Sequence, residues 1–125
     1  MSPQPAILLV EDHPIVQKFT MTCLKRYDCD VVIADTEKSA IAKSGDNPYS
    51  LILMDIGLAD GSGWNVIESI RSKSDGMNYS TPIVIISAHV SEEDERDKCM
   101  RWQVSMVIEK PLMRDKISVL LSLIE

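Results

Sequence analysis

Three short stretches of this chain are apolar almost without interruption: Ala6–Val10, Leu51–Met54, and Ile83–Ser87 up to its closing serine. Runs of four or five apolar residues bounded by turn signals read as strands covered on both faces, which is the habit of parallel sheets. Residues 30–34 and 104–108 read as two further strands.

Between these strands the period changes from continuous to helical. Residues 14–27 predict a helix with Pro14 in its first turn and Val16, Phe19, Cys23, Leu24 and Tyr27 on one face. Residues 36–44 predict a second, capped by Thr36. Residues 64–72 predict a third that buries Val66, Ile67 and Ile70. The last, from about residue 114, places Ile117, Leu120, Leu121 and Ile124 at i, i+3, i+4 and i+7. Residues 91–102 stand apart. Ser91, Glu92, Glu93 and Asp94 look like a capped helix start, but only Cys99, Met100 and Trp102 offer it an anchor. This segment is either a solvated surface helix or a movable output surface.

Strand and helix alternating five times predict an α/β domain, with a five-stranded parallel sheet and helices on both faces. Right-handed crossovers leave few arrangements, and the flavodoxin-like, doubly wound order 2-1-3-4-5 is the commonest for this length. The 125 residues are expected to form one domain, 1–125, with residues 1–5 as an N-terminal tail.

Composition narrows the function classes. With 45% apolar and 26% charged residues the chain is of ordinary globular type, and a net charge of −6 disfavours direct nucleic-acid binding. Cys23, Cys29 and Cys99 are odd in number and lack metal-type spacing, so they read as thiols in a reducing compartment. The start lacks a basic region and a long apolar core, and no stretch is long enough to span a bilayer; the expected location is cytoplasmic.

Ligands of open α/β sheets bind beyond the carboxyl ends of the strands. Here those ends carry Glu11 and Asp12, then Asp55, Ser87 and Lys110. The loop over residues 56–63 is rich in turn-forming residues and should leave Asp55 at the sheet rim with its side chain reaching solvent. In the order 2-1-3-4-5 the first and third strands are neighbours, which gathers three carboxylates. Two carboxylates about 4 Å apart repel by roughly 4 kcal/mol at an effective dielectric near 20. A hard divalent cation relieves that repulsion, and Mg²⁺ favours such oxygen ligands. A carboxylate so neutralised can attack phosphorus and form an acyl phosphate, with Lys110 pairing one phosphate oxygen and Ser87 donating to another. Singly, each of these residues also has a dull role, as a cap, a dipole partner or a surface charge. Four strand tips presenting acid, acid, hydroxyl and ammonium at one edge favour the shared chemistry.

The stretches Ile7 through Pro14, Leu51 through Asp55 with Gly63 eight positions later, Ile83 through Ala88, and Lys110-Pro111 together resemble the receiver domains of response regulators and hybrid histidine kinases. The resemblance covers essentially the whole chain. It implies that Asp55 is the phospho-acceptor, Asp12 a direct Mg²⁺ ligand, Glu11 a ligand through water, and the carbonyl of Gly57 the last protein ligand. It also implies that Ser87 is the switch hydroxyl, that Lys110 senses the phosphate, and that Lys110-Pro111 is cis. The donor it implies is a phosphohistidine on a histidine kinase or histidine phosphotransfer domain. Self-dephosphorylation belongs to the same pattern. Residues 11–15 with Gln17 and Lys18 look like hybrid-kinase receivers, and no output domain follows, so a piece of a hybrid sensor kinase is slightly favoured over a free-standing regulator.

Departures from the family pattern include Ala59 where proline is usual, which predicts a looser loop. In place of the usual small residue and glycine before two acids stands the run 102–106. Val107 replaces an aromatic, which predicts weak coupling to output or another route. His13 and His89 are solvated loop histidines or tune the site. Trp102 is a plug or a contact surface. Val119 and Leu123 widen the buried face of the last helix or meet a partner or second copy. A phosphatase of the haloacid dehalogenase type is an alternative, but it needs a second acid two positions beyond Asp55, where Gly57 stands. Glu11 and Asp12 would repel the phosphate of a flavin carrier. An interaction module that is never phosphorylated would normally have lost part of the acid, hydroxyl and lysine set, which is whole here.

Overall fold

The computed structural model describes residues 4–88 and 94–124. In chain order they form β1 (Ala6–Val10), α1 (Pro14–Lys25), β2 (Asp30–Ala34), α2 (Glu37–Asp46), β3 (Leu51–Met54), β4 (Gly57–Leu58), β5 (Gly61–Ser62), α3 (Gly63–Arg71), β6 (Ile83–Ser87), α4 (Asp94–Arg101), β7 (Met106–Glu109) and α5 (Arg114–Ser122). The main sheet is parallel throughout, in the order β2-β1-β3-β6-β7. Setting aside the two-residue ladder β4-β5, this is the 2-1-3-4-5 winding expected from the sequence.

Continuous apolarity in the central strands has its cause in two cores. Leu8, Val10, Ile52, Met54, Ile83 and Ile85 point to the face that carries Ala40 of α2 and Val66, Ile67 and Ile70 of α3. Their neighbours Ile7, Leu9, Leu51, Leu53, Val84 and Ile86 point the other way, onto Leu24 of α1 and Ile117 and Leu120 of α5. Because successive strand residues face opposite sides, a strand between two helical layers has no polar position to spare. The helix caps agree with the sequence where they were read: Thr36 accepts a bond from the Ser39 amide at 2.9 Å.

Several boundaries and faces differ from expectation. The fifth main strand begins at Met106, not at 104, because Val104 still donates to the Cys99 carbonyl and Ser105 crosses to Ile83 before the ladder starts. On α1 the buried residues are Thr20 and Leu24; Phe19 and Tyr27 lie outward, and Tyr27 falls in the turn after the helix. Of the three expected anchors of α4, Cys99 and Trp102 pack against the core, whereas Met100 is 75% exposed. Trp102 is therefore the plug under its helix, and its carbonyl accepts from Arg71 at 2.9 Å. Val119 is exposed, while Leu123 packs against the α1/α5 core. The capping residues expected at 91–93, and His89, lie outside the described residues.

Candidate functional site

The tips of β1, β3 and β7 are brought to one edge by backbone registration. The amide of Glu11 donates to Ala34 and that of Asp55 to Val10, at 3.0 and 2.9 Å, so the ladder continues one step past each strand and fixes where both acids emerge. On the other flank Lys110 donates its amide to the Ser87 carbonyl at 2.8 Å, which sets the ends of β6 and β7 side by side. The Lys110-Pro111 bond is cis, as the sequence resemblance implies.

These placements converge three carboxylates and an ammonium. Glu11, Asp12 and Asp55 each offer an oxygen within 4.8 Å of the others. Lys110 Nζ lies 2.6 Å from Glu11 Oε1 and 3.2 Å from Asp55 Oδ2. Asp55 is only 8% exposed and Glu11 2%, so the Asp55 carboxylate is more deeply set than a rim position with a solvent-reaching side chain would be. The half-turn after β3 covers it: the Gly57 amide donates to Asp55 Oδ1 at 3.2 Å. Burial and the neighbouring Asp55 push the Glu11 carboxyl up to about 7, with Lys110 pulling the other way. Burial alone would depress the Lys110 ammonium, but its contacts with Glu11 and Asp55 outweigh this and its pKa is raised. Three carboxylates in so small a space concentrate negative charge, and the donors are all hard oxygens. Both features fit a divalent cation held by Glu11, Asp12 and Asp55.

Several contacts at the site have no signal in the sequence. Gln17 on α1 donates its side-chain amide to the Glu11 carbonyl at 2.6 Å, and the Ala59 amide donates to Asp12 Oδ2 at 2.8 Å. The loop with Ala59 is thus tied to Asp12 by a main-chain bond. In the sequence Gly63 stands only as part of a motif. Its physical reason is space: a Cβ there would overlap the Asp55 carbonyl oxygen and come within 3.0 Å of Ile56 Cα. Glu37 and Asp60 cap each other's neighbourhoods. Asp60 accepts from the Glu37 amide at 2.8 Å, and Glu37 accepts from the Ser62 amide at 2.9 Å and Asn65 at 2.8 Å. Asp60-Gly61 is a turn signal in the sequence, but no spacing rule pairs it with residue 37. His13 is exposed and sits at the N-cap of α1 without a side-chain capping bond.

Comparison with known proteins gives one answer. The family model described as "Response regulator receiver domain" matches residues 7–122. Transcription factor prr1 of Schizosaccharomyces pombe is 35% identical over 91 residues, 73% of this chain and 16% of its own length. Sensor histidine kinase AruS of Pseudomonas aeruginosa is 29% identical over 111 residues, 89% of this chain and 11% of its own. The chain therefore spans less than a fifth of the length of these two relatives. Among solved structures, the receiver domain of a sensor histidine kinase from Pseudomonas aeruginosa PAO1, described with a magnesium ion coordinated in its active site cleft, superposes with a TM-score of 0.84. It shares 24% identity, covering 97% of this chain and 98% of that one. A match of this extent, on a β2-β1-β3-β6-β7 sheet whose tips gather Glu11, Asp12, Asp55 and Lys110, means that the chain belongs to the response regulator receiver domain family.

Proposed function

We propose that this domain accepts a phosphoryl group from a phosphohistidine onto Asp55 and relays it as a signal. The observation that carries the reading is the Lys110 ammonium bridging Glu11 and Asp55, beside a third acid within 4.8 Å. In the transfer, an Asp55 oxygen forms a bond to phosphorus as the phosphorus–nitrogen bond of the donor breaks, and the imidazole nitrogen keeps that electron pair. Glu11, Asp12, Asp55 and the Gly57 carbonyl are the groups that would hold Mg²⁺, which when bound neutralises the charge of acceptor and phosphoryl oxygens. Lys110 is freed from its carboxylate pairs to meet one phosphoryl oxygen, and the Ser87 hydroxyl donates to another. Hydrolysis of the same acyl phosphate by water would end the signal and is the self-dephosphorylation expected of such a site. No second acid stands at Gly57, so turnover of external phosphate esters is not part of this reading.

We place the donor, a histidine kinase or histidine phosphotransfer domain, on the surface beside α1. Ile15 is 74% exposed, and with Phe19 and Met113 it borders a groove of about 540 Å³ between α1 and the start of α5. A neighbouring recess shares Ile15 and Phe19 with that groove and is lined also by Lys110 and Pro111. A receiver within a hybrid kinase is part of the proposal, supported by the likeness to a sensor histidine kinase, beside regulators that match as well. No described helix is long and apolar enough to cross a membrane, and a cytoplasmic placement is part of the proposal.

The test is incubation with a small phosphoryl donor and Mg²⁺, followed by intact mass. One phosphoryl group is expected on the native chain and none on Asp55→Asn. No gain on the native chain, or an equal gain on the variant, would refute the mechanism.

A further inference from the structure

The bond between Ala59 and Asp12 joins residues 47 positions apart, and it is made by a main-chain amide. Ala59 and Asp60 are the two turn residues between β4 and β5, which pair antiparallel through Leu58 and Gly61. Neither has a positive φ. On its outer side the turn is clamped, because Asp60 accepts from the amides of Glu37 and Lys38 at 2.8 and 3.4 Å. The inner side presents the Ala59 amide to Asp12 Oδ2 at 2.8 Å. A carboxylate oxygen holding one donor keeps a second lone pair, and Oδ1 is untouched by this bond. The contact thus fixes the orientation of Asp12 without using up its capacity to ligate.

We propose that the Ala59 amide is the positioning group for Asp12, holding its carboxylate in place beside Glu11 and Asp55 so that a divalent cation meets an ordered ligand. The inference rests on the cation reading given above. Any residue with an amide serves at position 59, and proline alone does not, because it has no N–H to give. Proline is otherwise suited to the first turn position when no positive φ is required, so the substitution removes the donor and leaves the turn backbone acceptable.

Calorimetric titration with Mg²⁺ compares the native chain, Ala59→Ser and Ala59→Pro, each first checked by urea denaturation. Ala59→Ser should bind as the native chain does. Ala59→Pro should keep its stability but bind about three- to tenfold more weakly, the effect of one ordinary intramolecular hydrogen bond. Native affinity in a folded Ala59→Pro would overturn the inference and leave the cation reading standing, whereas a native chain that takes up no Mg²⁺ would overturn both. Amide hydrogen exchange gives an arm independent of that variant. The Ala59 amide should be protected in the native chain and lose protection in Asp12→Ala; rapid exchange in the native chain overturns the inference however Ala59→Pro behaves.

Discussion

Lys110 Nζ stands 2.6 Å from Glu11 Oε1, a tighter pairing than its 3.2 Å contact with Asp55 Oδ2. Glu11 nevertheless binds its proton more strongly in the folded chain, because burial and Asp55 raise it to about 7 from 4.5. Between those values the folded state holds more protons than the unfolded one, so the stability of metal-free protein falls as pH rises through the window and levels off above it. Lys110, also raised, contributes only at higher pH, above its ordinary value of 10.5. We expect a loss of about 1–2 kcal/mol from pH 5 to pH 7.5 in chelator. Saturating Mg²⁺ should flatten the slope by favouring the ionised acids. Urea midpoints at both pH values, with and without the ion, measure this, and a flat chelator profile contradicts it.

Gly63 opens α3, where alanine would ordinarily help a helix by about 1 kcal/mol. Sterics wins here. Gly63 is buried with the Asp55 carbonyl, Ile56 Cα and Met54 Cγ all in the space of a side chain. Gly63→Ala should cost about 1–3 kcal/mol and slow phosphorylation of Asp55, because the atoms that must yield include the backbone of Asp55 itself. Native-like stability together with a native phosphorylation rate would show that the strand tip moves freely.

The central strands and the acids at their tips were legible in the sequence because each is a local signal. Four uninterrupted apolar residues ending in Asp55 can be read without knowing what lies opposite. The α1 face was misjudged for the converse reason: Phe19 and Tyr27 are apolar, but their fate depends on how far α5 covers α1. Thr20 takes a buried place that periodicity assigned to an aromatic. The Ala59 and Gln17 bonds were invisible because one donor is main chain and the other meets a main-chain acceptor. Residue type carries little information about either.

Arg71 is a hub of the opposite end of the domain. Its guanidinium donates to the carbonyls of Trp102, Asn78, Tyr79, Thr81 and Gln103, at 2.6 to 3.3 Å, so it ties the end of α3 to the loops before β6 and β7. A planar fork with five donors suits this, and an ammonium does not. Both Arg71→Ala and Arg71→Lys should destabilise the chain, by about 2–4 kcal/mol for alanine, with lysine recovering less than half. Phosphorylation of the folded fraction should be unchanged. A lysine variant as stable as the native chain would reduce Arg71 to a single useful contact.

Placing the donor beside α1 separates two rates. Phe19→Ala and Ile15→Ala remove exposed apolar surface and leave the Glu11, Asp12, Asp55 and Lys110 side chains in place. Transfer from a phosphohistidine domain should slow by roughly tenfold, the usual scale for losing one apolar anchor at an interface. Phosphorylation by a small donor should hold at the native rate. Equal slowing with both donors would mean that these residues support the site itself and that the partner sits elsewhere.

Val107 leaves the question of what feels a change at Asp55, and the packing offers a short route. Gly63 touches the Asp55 backbone, Trp64 follows it, and Lys98 of α4 lies over the Trp64 ring, 5.3 Å from its centroid. Such a contact contributes about 0.5–1 kcal/mol at an exposed site, enough to bias the position of α4 and weak enough to be broken by a small shift of α3. Trp64 emission should therefore change on phosphorylation, and the change should vanish in Trp64→Phe while surviving in Trp102→Phe. Lys98→Ala should keep the phosphorylation rate and shrink the spectral change, since the ring then loses the charge whose displacement it reports. A signal that follows Trp102 instead would move the coupling to the Arg71-held end of α4.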